Sequence, residues 1–287
     1  MWRRTQHRPR RLCSIWTPPD DPLHGKQEGR FFHGYYGHYG YLPLYIFAGD
    51  HLLCARLRTA GQDGSAGARE EVERIVAQVR QHWPTVKMTL RADSGFCRED
   101  LMSWCEAHDV DYVFGLARNR RLQKMLSEAW AEARQRHEEG AQPVRLFRER
   151  RYQTRETWSR ERRVVGKAEY LDKGANPRFV VTSLSAEPGA AQALYEDLYC
   201  ARGERENRVK EQFQLFADRT STPWLWSNQL RLLLSAFAYV LLDTLRRVGL
   251  PGTEMAQAAV QTIRRTGARR KTNKWPLSGD SPVTACP

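Results

Sequence analysis

The chain lacks cysteine pairs at metal-ligand or redox spacing. Its six cysteines, Cys13, Cys54, Cys97, Cys105, Cys200 and Cys286, form no C-x-x-C motif. That excludes a zinc ribbon or disulfide framework and leaves the reduced thiols of a cytosolic protein. An apolar leader is also missing, because Arg and Pro interrupt the first residues, so no signal peptide is expected. The most apolar run, Leu232–Leu242, is bracketed by Arg231 and Asp243 and is too short to span a bilayer. The expectation there is a buried core helix and no membrane partner. Neither a P-loop nor a dinucleotide fingerprint occurs, so a nucleotide cofactor is unsupported. Acids are in deficit too: 33 Asp and Glu stand against 46 Lys and Arg, a net charge of +13.

The positive charge collects at the two ends. Arg3, Arg4, Arg8, Arg10 and Arg11 crowd the N-terminus, and Arg264, Arg265, Arg269, Arg270, Lys271 and Lys274 crowd the C-terminus. Basic tails bind polyanions through counterion release, which makes nucleic acid the natural partner.

Between the tails the hydrophobic period changes in an orderly way. Tyr41–Phe47 and His51–Leu57 alternate as strands around an Ala48-Gly49-Asp50 turn, a hairpin. Glu70–His82 places Val72, Ile75, Val76 and Val79 at helical spacing, and Pro84 ends it. Strand Val86–Ala92, helix Arg98–His108 and strand Asp111–Leu116 follow. Leu122–His137 is helical, Val144–Tyr170 is polar with strand-like pieces, and Arg178–Leu184 is a buried strand. Helices are predicted over Ala190–Cys200, Glu204–Phe216 and Ser227–Val248. A hairpin followed by alternating strands and helices makes an α/β fold with a mixed sheet. Phe31–Tyr45 is dense in aromatics and glycine and reads as a strand with surface for base stacking. The nearby His24, His33, His38 and His51 have no spacing that requires a metal. Trp224, Trp226, Asn228 and Gln229 open the long C-terminal helix and are expected to pack and cap.

Two segments carry the chemistry. On one continuous helix Tyr199, Arg202, Glu206 and Lys210 would share a face. An acid between two cations and a phenol suits a metal beside a phosphodiester, whereas ordinary i,i+4 ion pairs are the plain alternative. Upstream, strand Val86–Ala92 runs into R-A-D-S-G-F, which puts Asp93 at a strand's C-terminal end, where active sites of open α/β sheets assemble. The plain alternative for Asp93 is a turn or N-cap residue.

Together, R-A-D-S-G-F and Y-C-A-R-G-E-R-E-N-R-V-K resemble the bacterial insertion-sequence transposases with an RNase H-like DDE domain. Within these, the resemblance is to the subgroup with a Tyr-Arg-Glu-Lys signature. D-D-P-L-H-G-K-Q-E-G-R-F-F-H-G-Y-Y-G at Asp20–Gly37 and G-A-N-P-R-F-V-V-T-S-L at Gly174–Leu184 add to it. The resemblance implies an RNase H-like mixed sheet flanked by helices over 20–118 and 177–250, with a β-rich insertion over 119–176. Residues 1–19 would be a non-native or disordered basic segment and 251–287 a disordered basic tail. It implies Asp93 and Glu206 as catalytic acids and metal ligands, and Tyr199, Arg202 and Lys210 as DNA contacts. It also implies a two-metal Mg²⁺ site, with Mn²⁺ as substitute, that cuts and joins strands. The partners implied are terminal inverted repeats, target DNA and a second copy, in the bacterial cytoplasm at the nucleoid.

One acid is missing from the pattern. The family's first catalytic Asp falls where this chain has Thr17, and Asp20 and Asp21 are the nearest substitutes. A one-base regrouping of assumed codons for Leu12–Pro19 restores Val-Leu-Asp-Met-Asp-Pro-Thr. The expectation is therefore an N-terminally truncated, frameshifted chain with impaired cleavage. The competing readings are a catalytically dead DNA-binding remnant and a metal-dependent nuclease.

Overall fold

The computed structural model describes the backbone of residues 11–16, 21–34, 37–140, 143–171, 174–186, 190–200, 203–217, 220–256 and 258–270. Within those spans the side chains of 11–14, 16, 171, 175, 190, 203–207 and 267–270 lie outside the description.

The elements run in chain order. Strands β1 (Arg11–Trp16), β2 (Asp21–Pro22), β3 (Phe31–His33), β4 (His38–Tyr41), β5 (Leu44–Ala48) and β6 (His51–Arg56) come first, followed by helix α1 (Ala68–His82). Strand β7 (Met88–Ala92), helix α2 (Glu99–Ala107) and strand β8 (Val110–Leu116) lead into α3 (Arg120–Met125) and α4 (Ser127–Gly140). Strands β9 (Val144–Tyr152), β10 (Arg162–Leu171), β11 (Gly174–Ala175) and β12 (Arg178–Thr182) complete the β part. Helix α5 (Ala190–Ala193) passes into a π-helical stretch, Leu194–Tyr199. Then come α6 (Gly203–Gln214), α7 (Leu225–Thr244) with a π-helical end at Leu245–Gly249, and α8 (Val260–Arg270).

The main sheet has the order β11-β10-β12-β8-β7-β1-β5-β6, with β9 on β10. Only β1–β7 and β7–β8 are parallel among its described pairs. Alternation along the strands divides the core between two faces. Leu44, Ile46, Met88, Leu90, Tyr112 and Phe114 join α1 and α2 on one side. On the other side Tyr45 and Phe47 meet α6 and α7, while Val113, Val165 and Val180 meet the π-helical stretch. A sheet covered on both faces needs such near-continuously apolar strands, which is why the central runs read so clearly in the sequence.

Three expectations need correction. Residues 1–19 do not all stand outside the fold, because Arg11–Trp16 forms the strand between β7 and β5. Pro18 and Pro19 come after its end, so they remove no ladder hydrogen bond from it. The tail from 251 likewise carries structure, with helix α8 over Val260–Arg270. There Val260 is buried and Arg264 donates to the Gln214 carbonyl at 2.6 Å while lying over the Phe216 ring. Residues 271–287 lie outside the described residues. Finally, α7 is not a buried core helix. With its π-helical end it runs through both Arg231 and Asp243, and Leu225–Gly249 is long and apolar enough to cross a membrane by length and composition. One side packs on the sheet through Leu232 and Tyr239, with Ala236 buried, and the other is exposed. Trp224 and Trp226 are exposed as well, although Asn228 is fully buried and Gln229 caps the end of β6 at the Leu57 N–H and Ala55 carbonyl.

The segment 119–176 is continuous with the sheet, since β10 pairs with β12. Arg162 ties it down: its buried guanidinium donates to Glu99 at 2.6 Å and Glu106 at 2.7 Å on α2. Burial alone would raise the Glu99 pKa. Hydrogen bonds from Arg162, Ser103 and Ser159, with the Arg162 charge, outweigh that and hold it down at about 2.

Candidate active site at the strand edge

Every residue of β7 is buried, and Asp93 follows immediately after the strand's last residue, Ala92. The Asp93 carboxylate caps the one-turn 3₁₀ helix Ser94–Phe96 by accepting the Gly95 N–H at 2.7 Å. The turn-residue reading is therefore realised. It also leaves the half-buried Asp93 at the C-terminal edge of the parallel pair β7–β8.

Tyr199 arrives at the same edge. A Cβ placed on Gly115 would lie 2.6 Å from the Tyr199 hydroxyl, 2.9 Å from the Ser94 nitrogen and 3.2 Å from the Asp93 carbonyl carbon. Only a residue without a side chain lets the phenol and the Asp93–Ser94 peptide meet there. Arg91 secures the approach: it is 1% exposed, and its Nη1 donates to the Leu198 carbonyl at 2.8 Å, at the end of the π-helical stretch. A cation on the last carbonyls of a helix is favourably placed. The arginine of R-A-D-S-G-F thus couples the strand of Asp93 to the helix of Tyr199.

Beside these residues lies a cleft of about 460 Å³ lined by Ser94, Gly115, Arg118, Asn176, Arg178 and Tyr199, among others. Arg118 and Arg178 are exposed, and among the described residues none that lines the cleft is an acid. Two guanidinium groups and a phenol lining a concave site suit phosphate oxygens. Sequence reasoning missed Gly115, Arg118 and Arg178. Gly115 lies inside the strand run Asp111–Leu116, Arg118 follows it, and Arg178 stands within G-A-N-P-R-F, but none of the three has a period or spacing of its own to mark it.

The remaining signature residues are only partly visible. Arg202 and the side chain of Glu206 fall outside the described residues, and Lys210 is exposed on α6. The π-helical stretch ends at Tyr199, Cys200 stands in a bend, residues 201–202 lie outside the described residues, and α6 is described from Gly203. Of the four residues expected to share a face, the side chains of Tyr199 and Lys210 alone are described. Neighbouring charges on α6 do form plain ion pairs. Arg208 meets Asp50 at 3.0 Å and Glu211 at 3.3 Å, and the buried Glu211 is held by Arg246 at 2.7 Å.

The first acid has no replacement in β1. Its parallel register runs from Arg11 opposite Met88 to Ser14 opposite Arg91, and two further steps set Trp16 beside Asp93. Residues 11–19 contain no Asp or Glu. Asp20 lies outside the described residues. Asp21 is buried in the small β2-β4-β3 sheet, where its Oδ2 accepts the Thr220 hydroxyl at 2.6 Å. No three His, Cys, Asp or Glu side chains converge among the described residues. Two divalent cations bring four charges and need several carboxylate oxygens; among the described residues Asp93 alone supplies one at this edge, and the Glu206 side chain lies outside them.

Residues 18–266 match the family described as transposase DDE domain, group 1. The chain belongs to that family. Among solved structures it is similar to a piggyBac transposase, seen in a synaptic complex with hairpin DNA, with a TM-score of 0.52 and 12% identity. The match covers 93% of this chain and 55% of the other, so the chain spans about half the length of that neighbour. Among curated proteins no sequence relative is found. At this identity the likeness concerns the fold: a mixed sheet flanked by helices, as expected from the sequence.

Proposed function

We propose that this transposase DDE domain holds DNA against the sheet edge bearing Asp93, and that its metal-dependent strand cleavage is impaired. The cleft beside Asp93 carries the first half of the reading. There Arg118, Arg178 and the Tyr199 hydroxyl offer donors to phosphate oxygens, with Arg202 assigned to DNA by the family signature and Lys210, one helical turn after Glu206, standing in for the signature Lys, whose own position holds Phe213. Asp93 and Glu206 are the second and third acids in the same assignment. The second half rests on β1, which runs beside β7 without a carboxylate, and on Asp21, whose Oδ2 accepts the Thr220 hydroxyl. The substrates in this reading are insertion-sequence ends and a target duplex, with Mg²⁺ or Mn²⁺ as the family's metal, in the bacterial cytoplasm.

The test uses the purified chain, duplexes bearing the element's own terminal repeats, and Mg²⁺ or Mn²⁺. Salt-sensitive binding with strand cleavage near background is expected. Robust cleavage abolished by Asp93→Ala would overturn the impairment, and absence of binding at low salt would overturn the DNA reading. The missing carboxylate also favours a second reading, a DNA-binding remnant that occupies the ends needed by an intact transposase. Binding competition against such a transposase measures it directly.

A further inference from the structure

The outer face of α7 gathers most of the exposed large apolar side chains of the described surface. Trp226, Leu230, Leu233, Leu234, Phe237, Val240, Leu241, Leu245 and Val248 are all exposed, from 41% at Val240 to 80% at Trp226. They form a single stripe along a helix about 33 Å long from Trp226 to Val248. Its opposite side is fastened to the sheet. The Tyr239 hydroxyl donates to the Asp50 carbonyl at 2.8 Å, Gln229 bonds both the Leu57 N–H and the Ala55 carbonyl, and the buried Asp243 carboxylate lies 3.7 Å from Nδ1 of His51, the first residue of β6. A helix held in this way cannot turn its whole circumference to lipid without giving up those bonds. Arg231 and Arg247 are the only exposed charges from Trp226 to Val248, too few for the basic polar face of a surface-lying membrane helix.

The stripe is close to symmetric about its midpoint. Counting outward from Phe237, the positions three and four residues away are Leu234 and Leu233 on one side and Val240 and Leu241 on the other. Eleven residues away stand Trp226 and Val248, with Leu230 and Leu245 between. Two copies laid antiparallel about a two-fold axis through Phe237 would set Leu233 against Leu241, Leu234 against Val240 and Trp226 against Val248. Antiparallel pairing also opposes the two helix dipoles and keeps Arg231 from facing Arg231. Taking roughly 200 Å² for a fully exposed large apolar side chain, the open area of these residues sums to roughly 1,000 Å² per copy. A stable interface needs about 800 Å² per partner. From this area and symmetry we infer that α7 is an isologous dimer interface, covered by α7 of a second copy of this chain. The inference stands apart from the DNA reading, since no residue of the cleft takes part.

Sedimentation velocity of the full chain at micromolar concentration is expected to show a dimer. Phe237→Asp should weaken association at least tenfold while leaving the circular dichroism spectrum unchanged, because the side chain is at the surface. Cysteine cross-linking reads the geometry independently. Under mild oxidation Phe237→Cys should yield covalent dimers above the level of the parent chain. Leu230→Cys should not, because antiparallel pairing holds its two copies about 20 Å apart along the axis. A monomeric parent chain overturns the proposal, and so does a Leu230→Cys variant that links as readily as Phe237→Cys. A monomer that floats with phosphatidylcholine vesicles and is released by Phe237→Asp would make lipid the occupant instead.

Discussion

Replacing Arg162 by Met should unfasten the 119–176 segment from the rest of the sheet. The Arg162 side chain is 2% exposed and is the shared partner of Glu99, 27% exposed, and Glu106, 14% exposed. Its guanidinium makes bonds of 2.6 and 3.2 Å to the first and 2.7 and 3.0 Å to the second, and lies over the Trp158 ring. Removing one partner of a buried ion pair costs about 3–5 kcal/mol, because the other charge is left uncompensated. Water reaches part of both carboxylates here, so the lower end, about 3 kcal/mol, is expected. With a urea slope of about 3 kcal/mol per molar, the midpoint should fall by about 1 M at an unchanged slope. The acid limb supplies a second reading of the same interaction. Glu99 is held at about 2 against its ordinary 4.5, so between those values the unfolded chain binds more protons. The Glu99 contribution is therefore complete above pH 4.5 and lost as the pH falls toward 2. In Arg162→Met that loss should largely disappear. A destabilisation under about 1 kcal/mol, or an unchanged acid limb, would refute the role given to Arg162.

Three further outcomes follow from the strand edge. Gly115→Ala should cost about 1–3 kcal/mol in urea unfolding through overpacking, and Tyr199→Phe should recover part of it by removing the nearer obstacle; strictly additive effects would contradict this geometry. The Arg118→Ala and Arg178→Ala double variant should weaken DNA binding and flatten the salt dependence by about 0.9 for each phosphate no longer neutralised, and an identical slope would remove both residues from the interface. Arg91→Met should speed hydrogen exchange across residues 194–199, because the Leu198 carbonyl is deprived of its buried donor, and unaltered protection would show that other interactions hold the stretch.

Much of the fold was legible because it rests on local periods. The hairpin around Ala48–Asp50, helix α1, strands β7 and β8, and helix α2 all stand within a few residues of their predicted limits. Asp93 at a strand end was legible for the same reason. β1 was not, because Pro18 and Pro19 suggested a break and its apolar content is modest. Its place is secured by pairing on both sides, with Ile15 buried between the β7 and β5 neighbours. Arg91 looked like a charged residue inside an apolar strand, an apparent misfit. Its reason lies more than a hundred residues away, at the Leu198 carbonyl.

The sequence by itself determined the alternating strands and helices, the Asp that follows strand Val86–Ala92, the signature segment, and the absence of any acid from residue 11 to residue 19. These are properties of composition and of spacing along the chain. The tertiary structure alone decided that Gly115 makes room for Tyr199 beside Asp93, that Arg118 and Arg178 line the same cleft, and that Asp21 turns to Thr220. It also decided that one side of α7 remains open. The physical reason is shared: a period shows which face of an element is apolar, whereas long-range pairing decides what that face meets.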